Sequence, residues 1–286
     1  MTRMRPYLKL IKHGIILGNL MPVLAGFLLA YGAVGQWQGM RLLYTLIGIT
    51  GVMISATVWN NIIDRDIDRH MVRTKNRPLV NGEISLEMAV AIAVIASLVG
   101  FSVLYGWVNP LSGHLAMIGF VDYVILYSLF FKRNSRLSIV VGSISGAVPP
   151  LVGYVALKGQ LDMTVVCLFI IFSTWQIAHS YAIALYRKAD YLATKIPMPP
   201  LFMTFARTQM RMLAYVSAMI LAVLYLAAFE VRGFWLPSAM VITVAAWWIS
   251  LQRPIHKSEE AWGKQQFLNS LWVIMALCLW MMLTAL

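Results

Sequence analysis

The sequence predicts an all-α, polytopic membrane protein with about nine transmembrane helices. Of its 286 residues, 60% are hydrophobic and only 12% are charged, whereas soluble domains are about 45–50% apolar and about 25% charged. Apolar runs of about 20 residues, long enough to cross a bilayer core as a helix, recur along the chain. They lack the alternating pattern of strands, so we expect helices throughout and a single integral-membrane domain over residues 1–286.

Nine apolar runs define the predicted helices. They cover residues 15–33, 41–59, 86–108, 112–131, 138–157, 163–185, 212–231, 234–251 and 267–285. The basic N-terminus with the run behind it also resembles a signal peptide, but Asn19 and Pro22 interrupt that run and no convincing small-residue cleavage site follows. We therefore expect the first helix to be retained.

The basic residues predict the orientation of the chain. Twenty of the 23 lysines and arginines fall on one side of a nine-helix arrangement, and only Arg41, Lys158 and Arg232 fall on the other. The positive-inside rule then puts the N-terminus in the cytoplasm and the C-terminus outside, and we expect a bacterial inner (cytoplasmic) membrane. The net charge of +12 is explained by this topology, so we expect no nucleic-acid partner.

The connection behind the second predicted helix, NNIIDRDIDRHMVRTKNRPLV, has an unusual concentration of charge. Asn60, Asp64 and Asp68 are spaced i, i+4, i+8, which on a helix places them on one face over about 12 Å. Such a row of oxygen ligands suits Mg²⁺, and a solvated helix end with Asp–Arg pairs is the alternative. Basic residues suited to phosphate oxygens surround the three: Arg65, Arg69, Arg73, Lys75 and Arg77.

Two further connections on the same side carry polar residues. HSYAIALYRKADYLATKIPMPP has Asp190 as its only acid, and YSLFFKRNSR places Tyr127 near Lys132 and Arg133, which are candidate substrate contacts. A metal-activated diphosphate beneath an apolar helical cavity is typical of a prenyl transfer site. Mg²⁺ assists departure of the diphosphate, and aromatic faces stabilise an allyl cation.

These motifs together resemble the UbiA-type intramembrane prenyltransferases and, within them, the protohaem IX farnesyltransferases (haem O synthases). The NxxxDxxxD signature is matched by NNIIDRDIDRHMVRTKNRPLV. Five other segments match in the right order: KHGIILGNL, YSLFFKRNS, GSISGAVPPLVGY, WQIAHSYAIALYRKADY and IPMPP. The last three predicted helices match only in general character. The family usually reads KPG at Lys12-His13-Gly14 and AGIP at Thr194-Lys195-Ile196-Pro197, and neither departure removes an expected ligand.

The resemblance implies transfer of the farnesyl group of farnesyl diphosphate to a vinyl group of haem b, with water supplying a hydroxyl, to give haem O. It implies Mg²⁺ as cofactor, held with the diphosphate by Asn60, Asp64 and Asp68, and Asp190 as a further metal ligand that anchors the opposite half of the site. Quinone-pathway relatives carry a second DxxxD there, whereas this chain has Tyr186 four residues before Asp190, so we expect a reduced or differently built second metal site. The expected partners are the two substrates, the lipid bilayer and haem-handling or oxidase-assembly proteins.

Several residues have more than one possible role. His179, in WQIAHSY, is a candidate iron ligand, haem-pocket contact or packing residue, and Tyr181 and Tyr186 beside it are candidate substrate contacts. Asp122 falls inside the fourth predicted helix, where it should either line the cavity or bond to a neighbouring helix. His256 is expected to be a cytoplasmic surface residue.

Three other functions fit parts of the pattern. A UbiA-type enzyme acting on a quinone or chlorophyll precursor would normally show two full aspartate motifs, whereas this chain has one plus Asp190 and His179. A cation-coupled transporter could use Asp122, but transporters place acids near the midplane and here the acids gather at one face. A structural or assembly subunit of an oxidase would leave the NxxxDxxxD motif without a role.

Overall fold

The computed structural model describes residues 4–231, 233–253 and 258–285. These residues are mostly helical and contain no strand, which confirms the all-α prediction. Parts of the orientation and surface predictions rest on residues outside these ranges, namely Arg3, Arg232, His256 and Lys257.

Nine long helices, α1 to α9, form the fold within these ranges. They are His13–Val34, Gly39–Ile63, Leu86–Val103, Pro110–Val121, Ser138–Lys158, Met163–Tyr186, Phe205–Phe229, Trp235–Leu251 and Glu259–Leu283. The π-helices Leu104–Val108 and Asp122–Phe131 extend α3 and α4. Eight of these spans are long and apolar enough to cross a membrane, and α8, with 17 residues, is a shorter apolar helix.

Two helices begin earlier than the hydropathy predicts. α7 begins at Phe205 instead of residue 212, and α9 begins at Glu259 instead of residue 267. Thr204 and Ser258 cap their N-termini by accepting hydrogen bonds from backbone N–H groups in the first turn. The first turns of both helices carry charged residues, which hydropathy alone excludes from a membrane span.

Glycines bring α1 and α5 into backbone contact. A Cβ atom at Gly26 would lie 2.1 Å from the Pro150 carbonyl oxygen, and one at Gly153 would lie 2.0 Å from the Val23 carbonyl oxygen. Small residues allow such close packing of helices in a membrane. The distance and crossing angle of the two helices are therefore fixed. Their ends on the predicted cytoplasmic side enclose part of the site.

The connections on that side contain short helices. Arg5–Leu10 precedes α1, Arg65–Asp68 follows α2, Lys132–Asn134 follows the π-helix of α4, and Lys188–Ala193 follows α6. A 3₁₀ turn over Pro199–Phe202 then leads to α7. The polar residues that the sequence singles out lie mainly in these segments, which meet at one end of the bundle.

Candidate active site

A cavity of about 370 Å³ lies where these segments meet, and we call it the polar cavity. Its walls come from α1, α2, α5, α6, the π-helix of α4 and the connection after α2. The ionisable groups that line it are two carboxylates, four basic side chains and three phenols: Asp64, Asp68, Lys12, Arg73, Arg77, Lys132, Tyr123, Tyr127 and Tyr191.

Asn60, Asp64 and Asp68 all reach this cavity although the helix that carries them is interrupted. α2 ends at Ile63, and one more turn, Arg65–Asp68, follows it. The backbone N–H of Asp64 donates to the Asn60 carbonyl at 2.9 Å, and that of Asp68 donates to the Asp64 carbonyl at 2.9 Å. Spacing by one helical turn is therefore kept, and the three side chains face the same space.

The three side chains are almost fully buried, with 3%, 1% and 3% of their surface exposed. Buried carboxylates need compensating charge. Each of the three side chains contacts a different basic residue: Lys12 Nζ donates to Asn60 Oδ1 at 2.5 Å, Lys132 pairs with Asp64, and Arg77 pairs with Asp68. The Asn60 amide also donates to Asp64 Oδ2 at 2.8 Å, which fixes the orientation of both groups.

The oxygen donors fit Mg²⁺. Asp64 Oδ1 is buried and has no hydrogen-bond partner among the described residues, so one carboxylate oxygen remains available as a ligand. In the same part of the chain, no cluster of three or more His, Cys, Asp or Glu side chains could enclose a metal. Two carboxylates suffice for Mg²⁺, which usually completes its shell with waters and substrate phosphates.

Lys12 also lines the polar cavity, a position that the sequence motifs do not predict. It lies between Arg5–Leu10 and α1 with φ 54° and ψ 50°, a left-handed conformation that costs a non-glycine residue about 1–2 kcal/mol. This turn directs the amine to Asn60. Burial lowers the pKa of Lys12 well below its usual value, Arg77 and Lys132 lower it further, and Asp64 and Asp68 oppose the shift.

The π-helix of α4 supplies one wall of the polar cavity. Tyr123 and Tyr127 stack with ring centroids 5.8 Å apart and an interplanar angle of 18°. Ser128 accepts a hydrogen bond from the Asn60 amide at 3.0 Å, and Lys132 Nζ lies 5.9 Å from the Tyr127 ring centroid. π-Helical turns are frequent at functional sites. Here the turn places two aromatic rings and a polar contact beside the acids.

A second cavity of about 240 Å³ adjoins the first, and we call it the apolar cavity. It lies among α1, α2, α4 and α5 and extends to Ile49 and Ala116. Ile49 precedes Asn60 by eleven residues on α2, or about 16 Å along the helix axis. The residues that line both cavities are Ile15, Tyr123, Gly142 and Gln176.

Other basic candidates lie away from the polar cavity. The Arg133 guanidinium donates to both carboxylate oxygens of Asp66 at 2.7 Å and to the Ile63 carbonyl at 2.5 Å. Arg69 and Lys75 are exposed, and neither they nor Arg65 line the cavity. Their predicted phosphate contacts stay predictions.

Asp190 also lies outside the lining of the polar cavity. It is half-buried in the short helix Lys188–Ala193, and its neighbour Tyr191 is the residue of this helix that lines the cavity. A role for Asp190 as anchor of the opposite half of the site stays a prediction.

His179 faces α9 instead of either cavity. Its ring stacks on Trp175 with centroids 4.8 Å apart, and its Nδ1 lies 2.7 Å from Ser270 Oγ. The Ser270 hydroxyl donates to the Phe267 carbonyl at 2.6 Å, so the histidine is the donor to Ser270. These contacts are those of a packing residue, and ligation of the haem iron by His179 stays a prediction.

Tyr181 and Tyr186 also lie outside the lining of both cavities. Tyr181 is buried and meets the Tyr215 ring edge-on at 6.0 Å. Tyr186 lies under the Arg187 guanidinium at 4.2 Å. Substrate contact by these two tyrosines stays a prediction.

Asp122 bonds to a neighbouring helix, which was one of its two predicted roles. The backbone N–H of Ser145 on α5 donates to Asp122 Oδ2 at 3.0 Å. Asp122 is absent from the lining of both cavities. The contact ties the start of the π-helix to α5.

Comparisons with known proteins establish the family. The sequence profile described as the UbiA prenyltransferase family matches residues 19–283. The chain belongs to the UbiA prenyltransferase family. It is therefore an integral-membrane prenyltransferase, and the transporter and structural-subunit alternatives are excluded.

Curated relatives match this UbiA prenyltransferase over nearly its whole length. It is 41% identical to the Protoheme IX farnesyltransferase of Pectobacterium atrosepticum over 281 residues, which is 97% of this chain and 94% of that protein. It is also 41% identical to the Protoheme IX farnesyltransferase 2 of Pseudomonas aeruginosa over 281 residues, 98% of this chain and 94% of that protein.

Solved structures share the fold at low identity. A digeranylgeranylglyceryl phosphate synthase superimposes with a TM-score of 0.80 at 18% identity and covers 100% of this chain and 99% of its own. A UbiA homologue from Archaeoglobus fulgidus bound to GPP and Mg²⁺ gives a TM-score of 0.68 at 15% identity, covering 97% and 99%. The UbiA prenyltransferase described here therefore has the UbiA fold.

Proposed function

We propose that this enzyme transfers the farnesyl group of farnesyl diphosphate to a vinyl group of haem b and so produces haem O. The observation that carries the proposal is the junction of the two cavities, where acids and cations suited to a metal diphosphate adjoin an apolar space suited to a prenyl chain. The names of the 41% identical relatives support the choice of substrates over a quinone or chlorophyll precursor.

The diphosphate lies in the polar cavity in this proposal. Asn60, Asp64 and Asp68 would hold Mg²⁺, which when bound neutralises the charge that develops on the leaving diphosphate. Lys12, Lys132 and Arg77 each already contact one of these three side chains. These cations can exchange a carboxylate or amide oxygen for a phosphate oxygen with little movement, because both kinds of acceptor lie in one cavity.

The prenyl chain extends from there into the apolar cavity. The distance of about 16 Å from Asn60 to Ile49 is comparable to the extended length of three isoprene units. The stacked Tyr123 and Tyr127 lie where the chain meets the diphosphate, so their rings can stabilise positive charge on the allylic carbon. The apolar wall keeps bulk water from that carbon and so protects it from hydrolysis.

The direct test supplies membranes containing the protein with haem b, farnesyl diphosphate and Mg²⁺. We expect a less polar haem product whose mass corresponds to addition of the farnesyl group and one water, detected by pigment chromatography and mass spectrometry. A parallel incubation with a hydroxybenzoate or chlorophyllide acceptor should give no prenylated product. Prenylation of either of those acceptors, with haem b unchanged, would assign the enzyme to another branch of the family.

We further propose that the N-terminus is cytoplasmic and the C-terminus outside, in a bacterial inner membrane. This orientation requires α8 to cross, although its 17 residues span only about 25 Å. A reporter that is active only in the cytoplasm should therefore be active when fused to the N-terminus and inactive when fused to the C-terminus. Activity at both ends would show that α8 does not cross.

A further inference from the structure

Two polar side chains of α6 face the polar cavity without a partner. Gln176 and Ser180 are one helical turn apart and both line this cavity. Among the described residues, neither side chain forms a hydrogen bond with another protein group. The other polar side chains on this stretch of the helix are bonded to the protein: Ser173, Thr174, Trp175 and His179. An unpartnered amide inside a membrane helix is costly unless a ligand or water satisfies it.

Gln176 lies at the junction itself, since it lines both cavities. Its side chain rests on α5, where a Cβ atom built at Gly146 would come within 3.0 Å of Gln176 Cγ and 3.2 Å of its Oε1. Apart from the phenol of Tyr123, which also lines both cavities, the other polar side chains of the apolar cavity are bonded to the backbone: Asn19, Thr57 and Ser145 each donate to a carbonyl. The amide of Gln176 is therefore available to a small polar molecule at the point where the reaction would occur.

The proposed reaction consumes one water at this point. The vinyl π electrons form a bond from the terminal vinyl carbon to the first prenyl carbon, while the bond from that carbon to the diphosphate oxygen breaks and its electrons leave with the diphosphate. The positive charge then resides on the vinyl carbon attached to the porphyrin. A lone pair of water adds to this carbon, and a proton of that water passes to the departing diphosphate. No oxidant or reductant is needed.

We infer that Gln176, assisted by Ser180, is a positioning residue that holds this water until the carbon–carbon bond has formed. The inference rests on the proposed function. Uncontrolled water would instead attack the prenyl cation and release a prenyl alcohol. An amide that donates and accepts hydrogen bonds can fix the water oxygen beside the junction. Without it, the cation next to the porphyrin loses a proton and becomes an alkene, a product that lacks the water.

The test compares the products of three variants with those of the wild-type enzyme in the haem b assay. Gln176→Met keeps the length of the side chain but removes its hydrogen-bonding groups, and Ser180→Ala removes only the hydroxyl. Thr174→Val is the matched control, because Thr174 lies on the same helix, donates to the Ile170 carbonyl at 2.6 Å and lines neither cavity. Mass spectrometry separates the hydroxylated product from the alkene.

We expect Gln176→Met to prenylate haem b but to raise the ratio of alkene to alcohol about tenfold, the value of one lost hydrogen bond. Ser180→Ala should raise the ratio less, and Thr174→Val should leave it unchanged. Wild-type ratios in both Gln176→Met and Ser180→Ala would overturn the inference, as would a folded Gln176→Met variant that forms no carbon–carbon bond. If Gln176→Met does not accumulate in membranes, the ratio in Ser180→Ala decides. A wild-type enzyme that leaves haem b unmodified would instead refute the proposed function.

Discussion

Replacing Asp64 or Asp68 by alanine should reduce turnover at least about a hundredfold while the protein remains folded in the membrane. Each carboxylate is buried, each pairs with a cation, and both face the polar cavity with Asn60. A metal that stabilises the leaving diphosphate is worth several kcal/mol, and each 1.36 kcal/mol is tenfold in rate. The measurement is haem O formation at saturating farnesyl diphosphate, with the amount of protein in the membrane quantified in parallel.

Asp66→Ala is the matched control for these two variants. Asp66 lies between them in the sequence, but its side chain is exposed and pairs with Arg133. An exposed ion pair contributes about 0–1 kcal/mol to stability, so we expect nearly normal turnover. Equal loss of activity in all three variants would show that activity depends on the total charge of this segment and not on the position of each carboxylate.

Lys12→Gly should separate activity from stability. Loss of the amine removes the contact with Asn60 and one cation of the polar cavity. A hydrogen bond from a charged group contributes about 1.5–3 kcal/mol, so we expect kcat/KM for farnesyl diphosphate to fall about ten- to a hundredfold. For stability, the lost bond to Asn60 is offset because the variant no longer buries an amine beside Arg77 and Lys132, and because glycine adopts the left-handed conformation without strain. Thermal unfolding in detergent should therefore change little.

Lys195→Gly provides the matched control. Lys195 is the other described non-glycine residue with a positive φ, at 53°, and it is exposed and outside the polar cavity. We expect an unchanged or slightly higher unfolding temperature and normal kcat/KM. A parallel loss of activity in Lys195→Gly would mean that left-handed backbone geometry, and not the Lys12 amine, explains the first result.

The same position explains one departure from the family pattern. The family usually reads AGIP where this chain has Thr194-Lys195-Ile196-Pro197. The glycine of that pattern falls on Lys195, whose left-handed φ glycine adopts at no steric cost. This chain therefore keeps the turn with a strained lysine. The sequence alone shows the departure from the pattern but not the left-handed backbone at this position.

The helices were predictable because their signal is local. A run of apolar residues identifies a span by itself, whereas the true starts of α7 and α9 depend on capping residues next to charged turns. The acids at the end of α2 were predictable for a similar reason, since their spacing by one turn lies within one segment.

The remaining site residues depend on contacts between distant segments. Lys12 and Asn60 are 48 residues apart, and only the pairing of α1 with α2 brings them together. The ion pair of Arg133 with Asp66 likewise joins segments 67 residues apart, and neither segment alone indicates it. Gln176 looked like any polar residue in an apolar helix, because its position at the junction of two cavities depends on the packing of α5 and α6.

The charges of the polar cavity have a consequence for substrate capture. Even without Lys12, the basic residues Arg73, Arg77 and Lys132 outnumber the two carboxylates of the cavity, so positive charge is in excess there. A low-dielectric wall of membrane helices focuses this field on the aqueous side. The enzyme therefore draws polyanionic diphosphates toward the cavity by long-range attraction. Rising ionic strength shortens the screening length, to about 10 Å at 0.1 M, and so weakens this attraction. Substrate capture is then more sensitive to salt than the steps that follow it inside the cavity.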